Sequence, residues 1–331
     1  MSFGSRTAGA FERDWIECES LDLAGIRTPR TREGRALCMA RGRRNVPFKV
    51  LTIASNKGGV GKTTIASNLA VYLRAMREDL PILIFGLDDQ SILDRMFGMY
   101  DLDGAKNIGA ALKAGNLEPF IRFGQYGVHY IPSAPDLSML KREIEDPLCL
   151  LRALDRTGWE GLVIIDTKSD LEILTRNALA ASDLALLPVK NDTSLCEAAK
   201  IFQILDDWAW PPERARLLLS MIDRRIKYQS GESRDMLSLL VSKIREAGHP
   251  LLESFLSASP KVESLSSNPS GRVESILIGG AGSAVGRQMQ QLAEEVLKIL
   301  EAATTFGGAG PWNRPGSQTA DDIAEFGARW R

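Results

Sequence analysis

From Phe48 onward the chain alternates short apolar runs with stretches of helical spacing. Lys49–Ala54 is a β-rich run. Pro81–Leu87, Gly127–Ile131 (stopped by Pro132), Leu162–Ile165, Leu184–Val189 and Leu217–Ile222 are further apolar runs of strand length. Lys62–Arg77 repeats its apolar residues with helical period, setting Ile65, Leu69, Tyr72 and Leu73 on one face. Helices are also predicted over Pro147–Arg156, Leu171–Ala180, Ser194–Trp208 and Arg234–Glu246. A last long one spans Gly282–Ala303, with Met289, Leu292, Val296 and Leu300 as its buried stripe. Strands that are apolar throughout, rather than at every second residue, have both faces covered. Alternation of such strands with helices predicts an α/β fold: a mostly parallel, twisted sheet with helices on both faces.

The pattern fades at both ends. Between Arg27 and Arg44 lie seven arginines and one acid, Glu33, with weak apolar periodicity. Residues 1–46 therefore read as a basic, partly disordered extension ahead of a core domain at 47–303. At 304–331 the chain changes again. Phe306–Ser317 is rich in Gly and Pro, as a linker is. Ala320–Arg331 then offers Ile323, Phe326 and Trp330 at i, i+3 and i+7. That stripe suits a groove on a partner or on its own domain, or it is a frayed end with stray aromatics.

Composition narrows the class. The 331 residues are 44% hydrophobic and 25% charged, with a net charge of -1, an ordinary globular balance. No global charge draws the chain to DNA or to an anionic membrane, so such contacts need a local patch. Cys18, Cys38, Cys149 and Cys196 lie far apart without CxxC spacing, against a zinc site or a disulfide framework. No apolar run reaches the ~20 residues that cross a bilayer, and the N-terminus lacks a secretory apolar stretch. A cytoplasmic location is expected.

The chemistry concentrates in Lys57-Gly58-Gly59-Val60-Gly61-Lys62-Thr63-Thr64, between a predicted strand and a predicted helix. A Gly-rich turn there aims backbone N–H groups at phosphate oxygens, and the helix dipole adds positive potential. Gly58, Gly59 and Gly61 allow unusual φ/ψ and close approach. In such a loop Lys62 reaches the β- and γ-phosphates and Thr63 offers its hydroxyl to Mg²⁺. Asn56 stands where the standard eight-residue pattern has its first glycine, and Lys57 is an added front lysine.

This loop resembles the deviant Walker A motif of the ParA/MinD family of P-loop ATPases, most closely its ParA (Soj) type, and the resemblance covers about 47–303. It implies a P-loop NTPase fold, Mg²⁺-dependent ATP hydrolysis, and a catalytic role for Lys57, which crosses a dimer interface to the partner's phosphates. Ile82–Gln90 is similar to the family's strand ending in D-x-D-P-Q. Its second aspartate falls on Asp88, the switch residue at the attacking water and near the metal. Gly86 replaces the first aspartate, and Asp89 the proline. Leu162–Asp166 resembles the Walker B strand, so Asp166 is expected to hold Mg²⁺ through water. There D-x-P-P becomes Asp166-Thr167-Lys168-Ser169. Residues 177–183 and 186–189 resemble N-A-L-x-A-A-D and L-x-P-V. By the same resemblance Met221 and Pro260 line the base pocket.

The resemblance further implies an ATP-dependent homodimer, non-specific DNA binding at the nucleoid, and a ParB-like or other partner that stimulates hydrolysis. Arg224, Arg225, Lys227, Lys261 and Arg272 are the candidate DNA contacts, with Lys243 and Arg245 beside them. A second basic family position falls on Ser264, and 213–272 holds ten basic and seven acidic residues. Contacts to phosphates would be salt-dependent. The arginines of 27–44 are a second candidate for DNA or an acidic partner. Alternatives are a MinD-like membrane cycle, ranked lower because the tail is short and not strongly basic, and a weakly hydrolysing scaffold. A redox ATPase would need cluster-ligating cysteines, and Cys196 alone cannot complete such a site.

Overall fold

A computed structural model describes residues 28–42, 47–88, 92–98, 106–223, 225, 227–230, 232–266, 273–302 and 320–329. Its strands are β1 (Phe48–Ile53), β2 (Ile82–Leu87), β3 (Arg122–Phe123), β4 (His129–Tyr130), β5 (Gly161–Thr167), β6 (Leu184–Val189), β7 (Ala215–Ile222), β8 (Lys227–Ser230), β9 (Glu232–Asp235) and β10 (Leu251–Ser257). Eight of them form one sheet in the order β10-β7-β6-β1-β5-β2-β4-β3, and β8-β9 is a separate hairpin. Only β3 runs antiparallel within the large sheet. The helices are α1 (Arg32–Gly42), α2 (Lys62–Met76), α3 (Ile92–Phe97), α4 (Ile108–Ala114), α5 (Leu137–Glu143), α6 (Cys149–Asp155), α7 (Ile173–Ala181), α8 (Asp192–Asp207), α9 (Met236–Glu246), α10 (Pro260–Ser266), α11 (Ile276–Gly279), α12 (Ala284–Ala302) and α13 (Ala320–Arg329).

The central strands are buried along their whole length because each faces two cores. Val50, Leu83, Val163 and Leu187 point into one, with α1 and α4 to α9. Leu51, Ile84, Ile164 and Leu186 point into the other, with α2, α3 and α10 to α13. Every second side chain turns to the opposite layer. β1 and β2 flank β5, so that Ile53, Asp166 and Gly86 lie side by side across three strands. Where β5 enters the sheet, Gly161 takes φ +134°, and a Cβ there would meet the Pro81 carbonyl oxygen at 2.2 Å. Only glycine fits so close a passage. No helix among the described residues is long and apolar enough to cross a membrane.

Part of the extension read from sequence as partly disordered is built into the domain. In α1, Leu37 is buried in the first core. Arg41 donates to the carbonyls of Ala180 and Ser182, satisfying acceptors at the end of α7, and its guanidinium lies 5.4 Å from the Trp210 ring centre. Glu33 pairs with Arg176 and Arg30 with Asp206. Arg30, Arg41 and Glu33 thus have intramolecular roles that periodicity does not report. Arg27, Arg43 and Arg44 lie outside the described residues.

At the other end, α13 packs on its own domain, with Ile323 and Phe326 buried in the second core and Arg329 paired with Glu78. Trp330 lies outside the described residues. The predicted helix over Arg234–Glu246 begins at Met236, since Arg234 belongs to the β8-β9 hairpin. Edge strand β10 has no counterpart among the predicted runs: its residues 253–255 are exposed or half-buried, so its apolar pattern is broken.

Candidate functional site

The carboxyl ends of β1, β5, β2 and β7 meet at one edge of the sheet, where open α/β sheets bind ligands. The loop 57–64 joins β1 to α2 there. Gly59 and Gly61 adopt φ +71° and +87°, the left-handed region that disfavours any side chain. Gly61 stands at the N-cap of α2, and its carbonyl accepts from Ile65 N. Val60 anchors the loop in the interior, while Lys57, Gly58 and Gly59 face outward. The turn thus presents backbone and the start of a helix to solvent, a cradle for an anion.

Lys62 and Thr63 open α2 and point at the end of β5. Thr63 Oγ1 donates to Asp166 Oδ2 at 2.6 Å. Asp166 is fully buried, and burial raises its pKa to about 7, against the opposing pull of Thr63 and Lys62. Its other oxygen, Oδ1, is buried without a hydrogen-bond partner. A hidden carboxylate oxygen left unsatisfied, beside a hydroxyl, fits a hydrated divalent cation. Burial also lowers the Lys62 pKa, opposed by the charges of Asp166, Asp88 and Asp170. Asp88 follows β2, half-buried, close enough to act on both Lys62 and Asp166. Lys57, Lys62, Thr63, Asp88 and Asp166, remote in sequence, therefore converge on one edge.

Gly86 has a packing reason. A Cβ at this position would lie 3.2 Å from Leu93 Cδ1 of α3, so Leu93 occupies the space beside it. Met221, next to the last residue of β7, takes φ +55°, with its sulfur 3.7 Å from where a Gly61 Cβ would be. The predicted base-pocket residue is thus packed against the loop. Pro260 is exposed at the start of α10, just after β10, and Ala258 N donates to the Ile222 carbonyl beside Met221.

Sequence reasoning assigned no role to three side chains here. Ser169, beyond β5, accepts from Lys62 Nζ at 2.5 Å. Asp170 pairs with Lys141 of α5 at 2.5 Å. Glu197 of α8 accepts from Asn56 Nδ2 and Lys200 Nζ. Those hydrogen bonds, with the charge of Lys57 as a smaller contribution, lower its pKa. Ser169 ends the stretch that replaces D-x-P-P, Asp170 and Glu197 belong to no motif, and only folding brings the three to the loop.

The predicted DNA contacts are less concentrated. Arg225 is exposed but forms two hydrogen bonds to the Asp223 carboxylate, at 2.9 and 2.7 Å, which offset much of its charge. Lys243 is likewise paired, with Asp192. Lys261 is exposed at the start of α10. Lys227 opens the β8-β9 hairpin. Arg224 and Arg272 lie outside the described residues.

The sequence has known relatives over this region. The AAA domain family matches residues 48–206. The chromosome-partitioning ATPase Soj of Thermus thermophilus is 35% identical over 141 residues, 42% of this chain and 54% of Soj. The chromosome partitioning protein ParA of Caulobacter vibrioides is 27% identical over 218 residues, 62% of this chain and 81% of ParA. The chain thus spans about half the length of Soj. Among solved structures, the septum site-determining protein MinD of Pyrococcus horikoshii, complexed with Mg-ADP, superposes with a TM-score of 0.60 at 21% identity, covering 78% of this chain and 100% of that one. A plasmid partition protein of Borrelia burgdorferi bound to AMPPNP gives 0.59 at 18% identity over 78% and 100%. At these identities the structural likeness shows the fold.

Proposed function

We propose that this chain, which resembles the chromosome-partitioning ATPases Soj and ParA over its core, is a ParA-like positioning ATPase of the ParA/MinD family. It forms an ATP-dependent homodimer, binds DNA non-specifically at the nucleoid in the cytoplasm, and moves a chromosome, plasmid or protein assembly. A partner protein, ParB-like or other, stimulates hydrolysis. The observation that carries the reading is an exposed Lys57 on the same loop as the Lys62, Thr63 and Asp166 cluster.

In this reading the loop amides of 58–63 and Lys62 hold the phosphates, while Thr63 and Asp166, with Asp88 nearby, hold Mg²⁺ through hydroxyl, carboxylate and water. Bound Mg²⁺ supplies charge that neutralises the phosphate oxygens. Asp88 orients the attacking water. Lys57 faces outward and is free to reach a second subunit. Met221 and Pro260 line the base side. Arg225, Lys227 and Lys261, with Arg224 and Arg272, supply the DNA face. Its weak concentration of charge makes dimerisation, which doubles it, the condition for binding.

Light scattering with Mg-ATP and a DNA-retention assay test the proposal together. The wild type should dimerise with ATP and bind DNA in a salt-sensitive way. Asp88→Ala should bind ATP and remain trapped as a dimer on DNA, and Lys57→Ala should bind ATP but stay monomeric. An Asp88→Ala variant that stays monomeric with ATP removes the assigned role. The membrane-cycling alternative has less support, because Ile323 and Phe326 of the tail are buried in the domain itself. ATP hydrolysis that never rises with DNA or cell extract would favour the scaffold reading.

A further inference from the structure

Ser169 stands where the family's D-x-P-P has a proline, and it has a hydroxyl where proline has none. Lys62 Nζ donates to its oxygen at 2.5 Å. The same oxygen lies 3.8 Å from where a Cβ on Gly58 would be, with no nearer group at that position. Ser169 therefore lies over the phosphate loop, at the amides and the ammonium that an incoming phosphate must reach. Its segment is fixed from behind. Asp170 Oδ2 accepts from Lys141 Nζ at 2.5 Å, Asp170 Oδ1 accepts from Thr175 Oγ1 at 3.0 Å, and Lys141 also reaches Glu172 at 2.7 Å.

We infer that Ser169 is a positioning residue that competes with the nucleotide's phosphates for Lys62 and links phosphate binding to α5. The inference rests on the nucleotide-binding reading above. Lys62 is the buried, functional end of the contact, and Ser169 the exposed, displaceable one. A neutral hydroxyl holds the ammonium in place without adding charge. Phosphate oxygens carry full charge and make stronger hydrogen bonds to it, so they displace the serine. The displaced segment carries Asp170, whose ion pair with Lys141 has both partners mostly covered. Moving Asp170 therefore loosens the attachment of α5.

Fluorescence or calorimetric titration of the full chain with Mg-AMPPNP, Mg-ADP and AMP tests this. Ser169→Ala should bind AMPPNP and ADP roughly tenfold more tightly, the value of one hydrogen bond to a charged group. It should leave AMP, which lacks the phosphates that Lys62 reaches, unchanged. Ser169→Thr, which keeps the hydroxyl, should bind as the wild type does. In the wild type, hydrogen exchange across 137–143 should rise with AMPPNP and not with AMP. Weaker or unchanged AMPPNP binding by Ser169→Ala, or equal tightening toward AMP, overturns the competition. Unaltered exchange at 137–143 overturns the link to α5. A wild type that binds none of the three nucleotides defeats the nucleotide reading itself; a wild type that binds them, with Ser169→Ala indistinguishable from it, defeats only the inference.

Discussion

Replacing Asp166 by asparagine should stabilise the protein in alkaline buffer while removing its metal site. The carboxyl is fully buried, its pKa is raised to about 7, and one of its oxygens has no partner. In the unfolded chain an aspartate titrates near 3.9. Between about pH 4 and 7 the folded protein therefore keeps a proton that the unfolded chain has released. Stability falls as pH rises through that window. A shift of about three units corresponds to ~4 kcal/mol lost above pH 7. Asparagine keeps the shape and an acceptor for Thr63 Oγ1, but its amide N–H group lacks a partner, which costs ~1–2 kcal/mol.

The net gain for Asp166→Asn is therefore ~2 kcal/mol at pH 8, or roughly 4 °C in Tm for a domain of this size class. At pH 5 the wild-type carboxyl is itself neutral and the gain should vanish. Thermal and urea unfolding in EDTA without nucleotide, at both pH values, measure this, and titration with Mg-ATP should show the lost binding. A difference between wild type and variant that is the same at pH 5 and pH 8 would refute the argument from buried charge. So would a wild type more stable than Asp166→Asn at pH 8.

Three further outcomes follow from the packing. Leu37→Ala empties a side chain buried in the first core and should cost ~2–4 kcal/mol by urea denaturation if α1 is integral to the domain; a loss below ~0.5 kcal/mol would show that α1 is separable. Phe326→Ala should release α13, so that limited proteolysis cuts within α13 faster while Mg-ATP affinity stays the same. Gly61→Ala puts a Cβ at φ +87°, 3.4 Å from Ser220 Oγ and 3.7 Å from Met221 Sδ; it should weaken Mg-ATP binding at least tenfold by titration, with far-UV circular dichroism unchanged.

The sequence by itself determined the layered architecture and the phosphate loop. Both are local in the chain: a strand covered on two faces must be apolar at every position, as β1, β2, β5 and β6 are. A loop whose backbone approaches an anion must be rich in glycine between a strand and a helix. Thr63 and Asp166 each stood out at the end of such an element as a candidate Mg²⁺ residue, but their mutual hydrogen bond appears only in the fold. What only the tertiary structure decided is how distant, unpatterned residues meet. Ser169 on Lys62, Asp170 on Lys141 and Glu197 on Asn56 are contacts between chain segments many residues apart, and no periodicity marks them. The same holds for the ends. Arg41 and Glu33 carry no apolar pattern, so α1 resembles a solvated basic arm until its guanidinium and carboxylate find the end of α7 and Arg176. Leu93 explains Gly86 in the same way, since a glycine in a strand shows what is missing there and only the neighbouring helix shows what fills the space.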